Sequence, residues 1–218
     1  MTDADAHFTP VCLYPHTAYR TVDGIRTLFN KYLAKSENYL IVVADRLSAL
    51  DKLVTGRFLS VNGVYARSRR EAEQVRRLIL RIQKQYGAQG SGRVAYWDEI
   101  AEMQEFQEFS ERMREEILGD EELFSYINRF VKCRVQRFGL GADQNKECGY
   151  EQEYLLSEMC MSVFCTEILG YTKEIWERRP PKNAPDPLKI LYQSRSDLVA
   201  KVTGRPVKRV LEFVFDGE

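Results

Sequence analysis

Residues Tyr39 to Leu53 read YLIVVADRLSALDKL. The first six, Tyr39 to Ala44, are apolar without a break. A short unbroken apolar run marks a strand covered on both faces, as in a parallel sheet under helices. It stops at Asp45-Arg46, and helical spacing takes over from Ala49 to Val54, with Gly56 near the helix end. Sheets of this kind bind ligands just past the carboxyl ends of their strands. Asp45, Arg46 and Ser48 therefore stand at the rim of a crevice, and Asp45 also fits as the N-cap of the next helix.

The flanking segments repeat the pattern of short strand and long helix. Thr21 to Leu33 has helical spacing in Ile25, Leu28, Phe29 and Leu33. Arg57 to Tyr65 reads as a short strand, and Arg67 to Tyr86 as a helix closed by Gly87. Arg93 to Trp97 reads as another strand, with Asp98 as the following helix cap. Asp98 to Phe138 is helical with a break at Gly119-Asp120, and Gly139 to Gly149 is a loop. Tyr150 to Leu169 is helical up to Gly170, Pro180 to Pro187 is a rigid loop, and Val210 to Phe215 is a last strand. Strands alternating with long helices predict an α/β domain with a mostly parallel central sheet. Residues 1–15 read as a flexible N-terminal tail, and residues 16–218 as a single domain.

Composition narrows the function. The chain has 218 residues, 44% hydrophobic and 29% charged, with zero formal net charge. A nucleic-acid surface must then be a local patch. No apolar run approaches the roughly 20 residues of a membrane span, and the opening MTDADAHFTP is too polar for a signal peptide. Five cysteines without a CxxC pair fit a reduced, cytoplasmic protein. Two histidines, His7 and His16, argue against a zinc site or a His-based triad. The expectation is no metal, no cofactor, no membrane and no obligate protein partner.

Two helices carry chemistry. RSRREAEQVRRLILRIQK, Arg67 to Lys84, places Arg69, Arg70, Arg76, Arg77, Arg81 and Lys84 within an arc of roughly 140°. Ala72, Val75, Leu78, Ile79 and Ile82 fall opposite. The basic stripe is either a solvated helix face or a phosphate track, along which each contact releases counterions. Arg129, Lys132, Arg134 and Arg137 add a second basic cluster. On the second helix, EQEYLLSEMCMSVF, Tyr154 and Glu158 lie one turn apart. A carboxylate beside a phenol can hold an ammonium group or move a proton. The bland reading is a surface glutamate near a half-buried tyrosine.

The buried strand YLIVVA, the stretch SRREAEQVRRLILRIQK, and WDEIAEMQEFQEFSERMREEI followed by YLLSE come in an order that resembles the tRNA-dependent cyclodipeptide synthases. The resemblance spans roughly Tyr39 to Tyr192. It implies a single Rossmann-like domain similar to the catalytic domain of class I aminoacyl-tRNA synthetases, without an ATP site. It implies two aminoacyl-tRNAs as substrates and a cyclic dipeptide, a 2,5-diketopiperazine, as product. The Arg-rich helix would engage tRNA, and Tyr154 and Glu158 would hold the amine of the first aminoacyl group and assist peptide bond formation.

Where the family has Gly-x-Ser at the strand end, this chain has Val42-Val43-Ala44. Three readings stay open: an inactivating Ser-to-Ala replacement, a divergent branch in which Asp45 or Ser48 acts, or direct transfer between two tRNAs. VVADRLSALDKLVTG resembles the fungal arginine-containing cyclodipeptide synthases, which implies Arg-tRNA and cyclo(Arg-Xaa). A guanidinium calls for a carboxylate, which makes Asp45 the first candidate and Glu177 the second. By the same resemblance Ala44, Phe106, Trp176 and Glu177 would line the substrate pocket. A catalytically inactive tRNA- or RNA-binding module of the same fold is the alternative.

Overall fold

The computed structural model describes residues 6–11, 13, 18–36, 38–54, 61–86, 92–138, 144–176, 187–207 and 213–215. Five strands form one sheet: β1 (Ala6–Val11), β2 (Asn38–Val43), β3 (Arg93–Tyr96), β4 (Lys173–Trp176) and β5 (Phe213–Phe215). Their order is β3-β2-β1-β4-β5, and every pairing is parallel. The expected α/β class with a parallel sheet is what the chain adopts. Strand order reverses between β1 and β4, and such a reversal opens a crevice at the carboxyl edge.

The predicted strand at Tyr39 is β2, and its side chains divide strictly by parity. Tyr39, Ile41 and Val43 belong to one core with β3's Val94 and Tyr96, and with α1 (Val22–Lys31) and α3 (Val61–Gln85). Leu40, Val42 and Ala44 belong to the other. That second core gathers α2 (Asp45–Val54), α4 (Trp97–Ala101), α5 (Gln104–Gly119), α6 (Glu121–Phe138), α7 (Gln144–Val163), α8 (Pro187–Ser194) and α9 (Ser196–Thr203). Covered on both faces, β2 needs apolar side chains at every position, hence the unbroken run.

Several sequence expectations need correction. Residues Ala6–Val11 are not a tail but the central strand β1, buried throughout. The segment AHFTPV hides this because His7, Thr9 and Pro10 break the apolar run, and proline is unusual inside a sheet. The His7 side chain finds a partner nonetheless: its ring nitrogen Nδ1 and Ser36 Oγ hydrogen-bond at 2.8 Å. Val61–Tyr65, read as strand, is the first part of the 25-residue α3, because Val64 joins the buried helical face with Ser68 and Ala72. The loop predicted to Gly149 ends earlier, at the α7 start of Gln144. α7 passes into a π-helical turn, Phe164–Ile168, before Gly170 takes a positive φ of 83°. β4 carries Lys173 and Glu174 in four residues, so no apolar pattern announced it.

One glycine sets the sheet edge. A Cβ on Gly92 would fall 2.0 Å from the Tyr39 ring, so only glycine lets β3 start there. Thr21 caps α1 by accepting from the Gly24 N–H at 3.0 Å. Residues 55–60 and 180–186, which include part of the expected strand and the proline-rich loop, lie outside the described residues.

Candidate active site

The site begins where β2 ends. Ala44 donates its N–H to Val11 O at 3.0 Å, tying the ends of β2 and β1 together. Its methyl group sits in the core and is 1% exposed, so this position offers no hydroxyl. Ser48, one turn into α2, is buried, and its Oγ accepts from the Leu13 N–H at 3.1 Å. That bond fixes the chain beyond β1 and leaves the hydroxyl proton available.

Asp45 is the first residue of α2 and is 2% exposed. Its Oδ2 accepts from Arg69 Nη1, so the carboxylate is turned to α3 rather than serving as a helix cap. The same Arg69 nitrogen lies 3.7 Å from Asp98 Oδ2. Its guanidinium stacks over the Tyr96 ring at 4.1 Å, within cation–π range. Asp98 does not cap α4 either. The cap is Tyr96, whose N–H donates to Glu99 Oε2 at 3.2 Å. These residues edge a cavity of about 390 Å³ lined by Asp45, Arg46, Tyr65, Arg69, Asp98 and Glu102 among others. Burial, and then the neighbouring Asp45 charge, hold the Asp98 carboxyl above its ordinary value against the pull of Arg46 and Arg69. Asp98, Tyr96 and Glu102 escaped sequence reasoning. Spaced along β3, α4 and the C-cap of α4, they carry no motif, and only the parallel pairing of β2 with β3 brings them to Asp45.

Tyr154 and Glu158 do pair. Tyr154 is 5% exposed and donates its hydroxyl to Glu158 Oε1 at 3.1 Å. The bland reading, a surface glutamate near a half-buried tyrosine, understates both: the tyrosine is buried and the glutamate half-buried. Arg134 explains part of the tyrosine's burial. Instead of joining a second basic surface, Arg134 Nε ion-pairs with the fully buried Glu151 at 3.0 Å. Its guanidinium lies 5.2 Å from the Tyr154 ring centroid. On a neighbouring side of the same stretch, Arg114 of α5 grips α7 through both Glu153 oxygens, at 2.8 and 2.9 Å, and through Ser157 Oγ at 2.8 Å. α7 packs on α2, and Tyr154 shares one core with Ala44 and Leu47. The helix that bears the pair is thus fixed beside the end of β2.

Other expected residues fall as follows. Phe106 is a core residue, edge-to-face with Phe164 at 5.1 Å, which favours packing over lining. Trp176 closes β4, while its side chain and Glu177 lie outside the described residues. The basic stripe divides. Arg69 turns to Asp45, Arg76 is half-buried over Tyr96 at 4.9 Å, and Arg77 pairs with Glu73 one turn back. Arg70, Arg81 and Lys84 are exposed and make no ion pair among the described residues. Among the described residues no group of His, Cys, Asp or Glu could hold a metal ion, and no helix is long and apolar enough to cross a membrane. The Cys160 thiol, fully buried, is pushed up to about 11, so it is no nucleophile near neutral pH.

No protein-family profile matches the chain, and no curated protein does. Solved structures do. A cyclodipeptide synthase from Streptomyces noursei superposes with a TM-score of 0.64 over 98% of this chain and 96% of its own, at 14% identity. The fold is that of the cyclodipeptide synthases. A Mycobacterium tuberculosis protein, whose structure relates cyclodipeptide synthetases to type I tRNA synthetases, gives 0.67 over 89% of this chain and 80% of that one, at 18% identity. A cyclodipeptide synthase from Fluoribacter dumoffii gives 0.66 over 90% and 82%, at 12%. At such identities the likeness concerns the fold; the chemistry has to be argued from the side chains.

Proposed function

We propose that this protein takes aminoacyl groups from two charged tRNAs and joins them as a cyclic dipeptide, with arginine as one residue. The observation that carries the reading is the Tyr154–Glu158 pair on α7, buried at the tyrosine and half-buried at the glutamate, held against the helix that follows β2. An aminoacyl-tRNA ester is already activated, so the enzyme has to position groups and move protons. Glu158 accepts a proton from the α-ammonium of one aminoacyl group, with Tyr154 holding that nitrogen. The freed amine attacks the second ester carbonyl, the ester C–O bond breaks, and the tRNA 3′ terminal hydroxyl leaves with a proton. A second aminolysis within the dipeptidyl product closes the ring and releases the other tRNA. No nucleotide is consumed.

Ala44 removes the hydroxyl at the strand end, so a covalent stage, where there is one, falls to Ser48 or Asp45; otherwise the two esters react directly. Arg70, Arg81 and Lys84 supply the phosphate track on α3. Asp45 and Glu177 are the carboxylates proposed to meet an arginine side chain. The setting is a reduced cytoplasm and the product a secondary metabolite.

The test is to incubate purified protein with Arg-tRNA and each other aminoacyl-tRNA, without ATP. A diketopiperazine seen by mass spectrometry is expected; its absence with every charged tRNA overturns the proposal. Ala44 favours one other reading, a tRNA-binding module without catalysis, which would show salt-sensitive tRNA binding and no product.

A further inference from the structure

α3 runs against the strands. Near its carboxyl end Gln83 donates to the Tyr39 hydroxyl at 2.8 Å and to Gly92 O at 3.2 Å, beside the amino ends of β2 and β3. Nearer its start Arg69 meets Asp45, just past the carboxyl end of β2. Arg67, Arg70, Arg81 and Lys84 fall within an arc of about 100° and span roughly 25 Å of helix. This basic face therefore crosses the sheet from its amino edge to its carboxyl edge, where a parallel sheet keeps its ligand crevice.

At the carboxyl edge the face gains two cations from outside the helix. Glu71, half-buried, is met by Lys52 Nζ of α2 at 2.6 Å, by Arg67 Nε at 2.9 Å and by Arg20 Nη2 at 4.0 Å. Lys52 also donates to Ser68 Oγ at 3.1 Å. Burial raises the Glu71 carboxyl, but the bonds from Lys52 and Arg67 and the charges of Lys52 and Arg20 outweigh it and hold the group below its ordinary value. Glu71 is thus an anion at neutral pH, yet one carboxylate cannot neutralise three cations. Arg67 keeps 56% of its side chain in solvent, so the cluster can be reached. Guanidiniums and an ammonium gathered in this way bind phosphate. The cluster also borders the crevice. Arg20 Nη1 donates to Leu13 O at 2.6 Å, and the Leu13 N–H is the one that Ser48 Oγ holds.

We infer that Arg20, Lys52 and Arg67 seat a phosphate of the unpaired 3′ tail of the tRNA, so that the acceptor strand lies along α3 with its 3′ end toward Arg67 and its paired part toward Lys84. The inference rests on the synthase reading and gives the phosphate track a direction and a terminus. α2 packs on α3 and also on α7, so the tail ends one helix from Tyr154 and Glu158. Glu71 is the rival of that phosphate. It orders the three cations beforehand and yields them to the tail.

Fluorescence anisotropy with two uncharged tRNA probes tests this, one intact and one trimmed of its unpaired 3′ tail. Lys52→Met should weaken binding of the intact tRNA about 10-fold, as expected for the loss of one hydrogen bond to a charged group, and should leave the trimmed tRNA unchanged. Arg81→Ala should weaken both alike. Glu71→Gln should tighten the intact tRNA about 3-fold, because a competing anion has gone; a glutamate that only braced the fold would act the other way. Circular dichroism checks that each variant folds, and Arg67→Ala, at the exposed rim, replaces Lys52→Met should that variant unfold. Equal losses on the two probes, or weaker binding of intact tRNA by folded Glu71→Gln, overturn the assignment. Product analysis separates it from the synthase reading. Cyclic dipeptides from a protein that binds intact and trimmed tRNA equally well defeat the tail seat and spare the synthase. Tail-dependent binding with no cyclic dipeptide from any charged tRNA does the reverse.

Discussion

Two guanidiniums, two acidic neighbourhoods, and opposite outcomes. Arg114 of α5 meets Glu153 and Ser157 of α7, and Ser157 Oγ in turn donates to Glu153 at 3.0 Å, so each Glu153 oxygen accepts at least one bond. Arg69 of α3 meets Asp45 and Asp98 and leaves one oxygen of each open. Burial pushes both Glu153 and Asp98 upward. For Glu153 the bonds from Arg114 and Ser157 outweigh burial and the net shift is down. For Asp98 burial and the Asp45 charge prevail over Arg46 and Arg69, and the net shift is up. An arginine meets carboxylate in both places; satisfaction differs. The first arrangement holds two helices together. The second keeps an electrostatic cost of the kind that clusters at binding sites.

α7 sharpens the contrast because it carries the satisfied clamp, Glu153 and Ser157, on the residues directly preceding Tyr154 and Glu158. The largest effect belongs to the chemistry. Glu158→Gln should lower kcat by about 100-fold or more, the usual contribution of a general base, with little change in thermal stability. Glu153→Gln should change kcat only slightly, since an ion pair of this exposure contributes about 1 kcal/mol or less. Single-turnover assays on both variants decide. Equal losses would mean that Glu158 only helps to position the helix.

Next in size is tRNA affinity. Arg70→Ala and Arg81→Ala should each reduce the slope of log K against log salt by about 0.7 to 0.9, one phosphate contact apiece. Arg69→Ala should reduce it less, because Asp45 already holds that guanidinium. Filter binding across a salt series measures both. An equal slope change for Arg69 would show that it leaves the cavity to meet phosphate, and that the contrast with Arg114 is one of mobility rather than of site.

The same distinction between satisfied and strained explains what could be read in the sequence. β2 was legible because both its faces are covered by helices and all its side chains are apolar. β1 was not, because Thr9 and His7 are buried polar residues in a strand that also holds a proline. β4 was not, because Glu174 is fully buried and accepts from Ser162 Oγ at 2.6 Å, a bond across elements that no local pattern encodes. The spacing of Tyr154 and Glu158 lies within one helix, so periodicity alone brings them together. Asp45 and Asp98 are 53 residues apart on different strand ends, and their meeting depends on the β2–β3 pairing. Arg134 misled for a related reason: on a basic-looking helix face, it turns inward to a buried glutamate.

The smallest effects concern stability, and here the comparison makes its sharpest demand, because the two variants should move in opposite directions. Glu153 has a folded value below its ordinary 4.5. It therefore contributes stability above that value, lost as pH falls through the lower folded value. Asp98 has a folded value above its ordinary 3.8. Its ionisation therefore removes stability as pH rises from 3.8 through the raised value, and the loss persists at neutral pH. Both groups are partly solvated, so each effect should be on the order of 0.5 kcal/mol. At pH 7 the urea midpoint of Glu153→Gln should lie below that of the native protein, and the midpoint of Asp98→Asn should lie above it. As the pH falls below the carboxylate range, both differences should shrink. Should Asp98→Asn also prove less stable at pH 7, Asp98 would be a structural partner of Arg69 in the way Glu153 is of Arg114. The open oxygens would then be an incidental feature of packing, because a carboxylate left short of partners costs the folded chain stability.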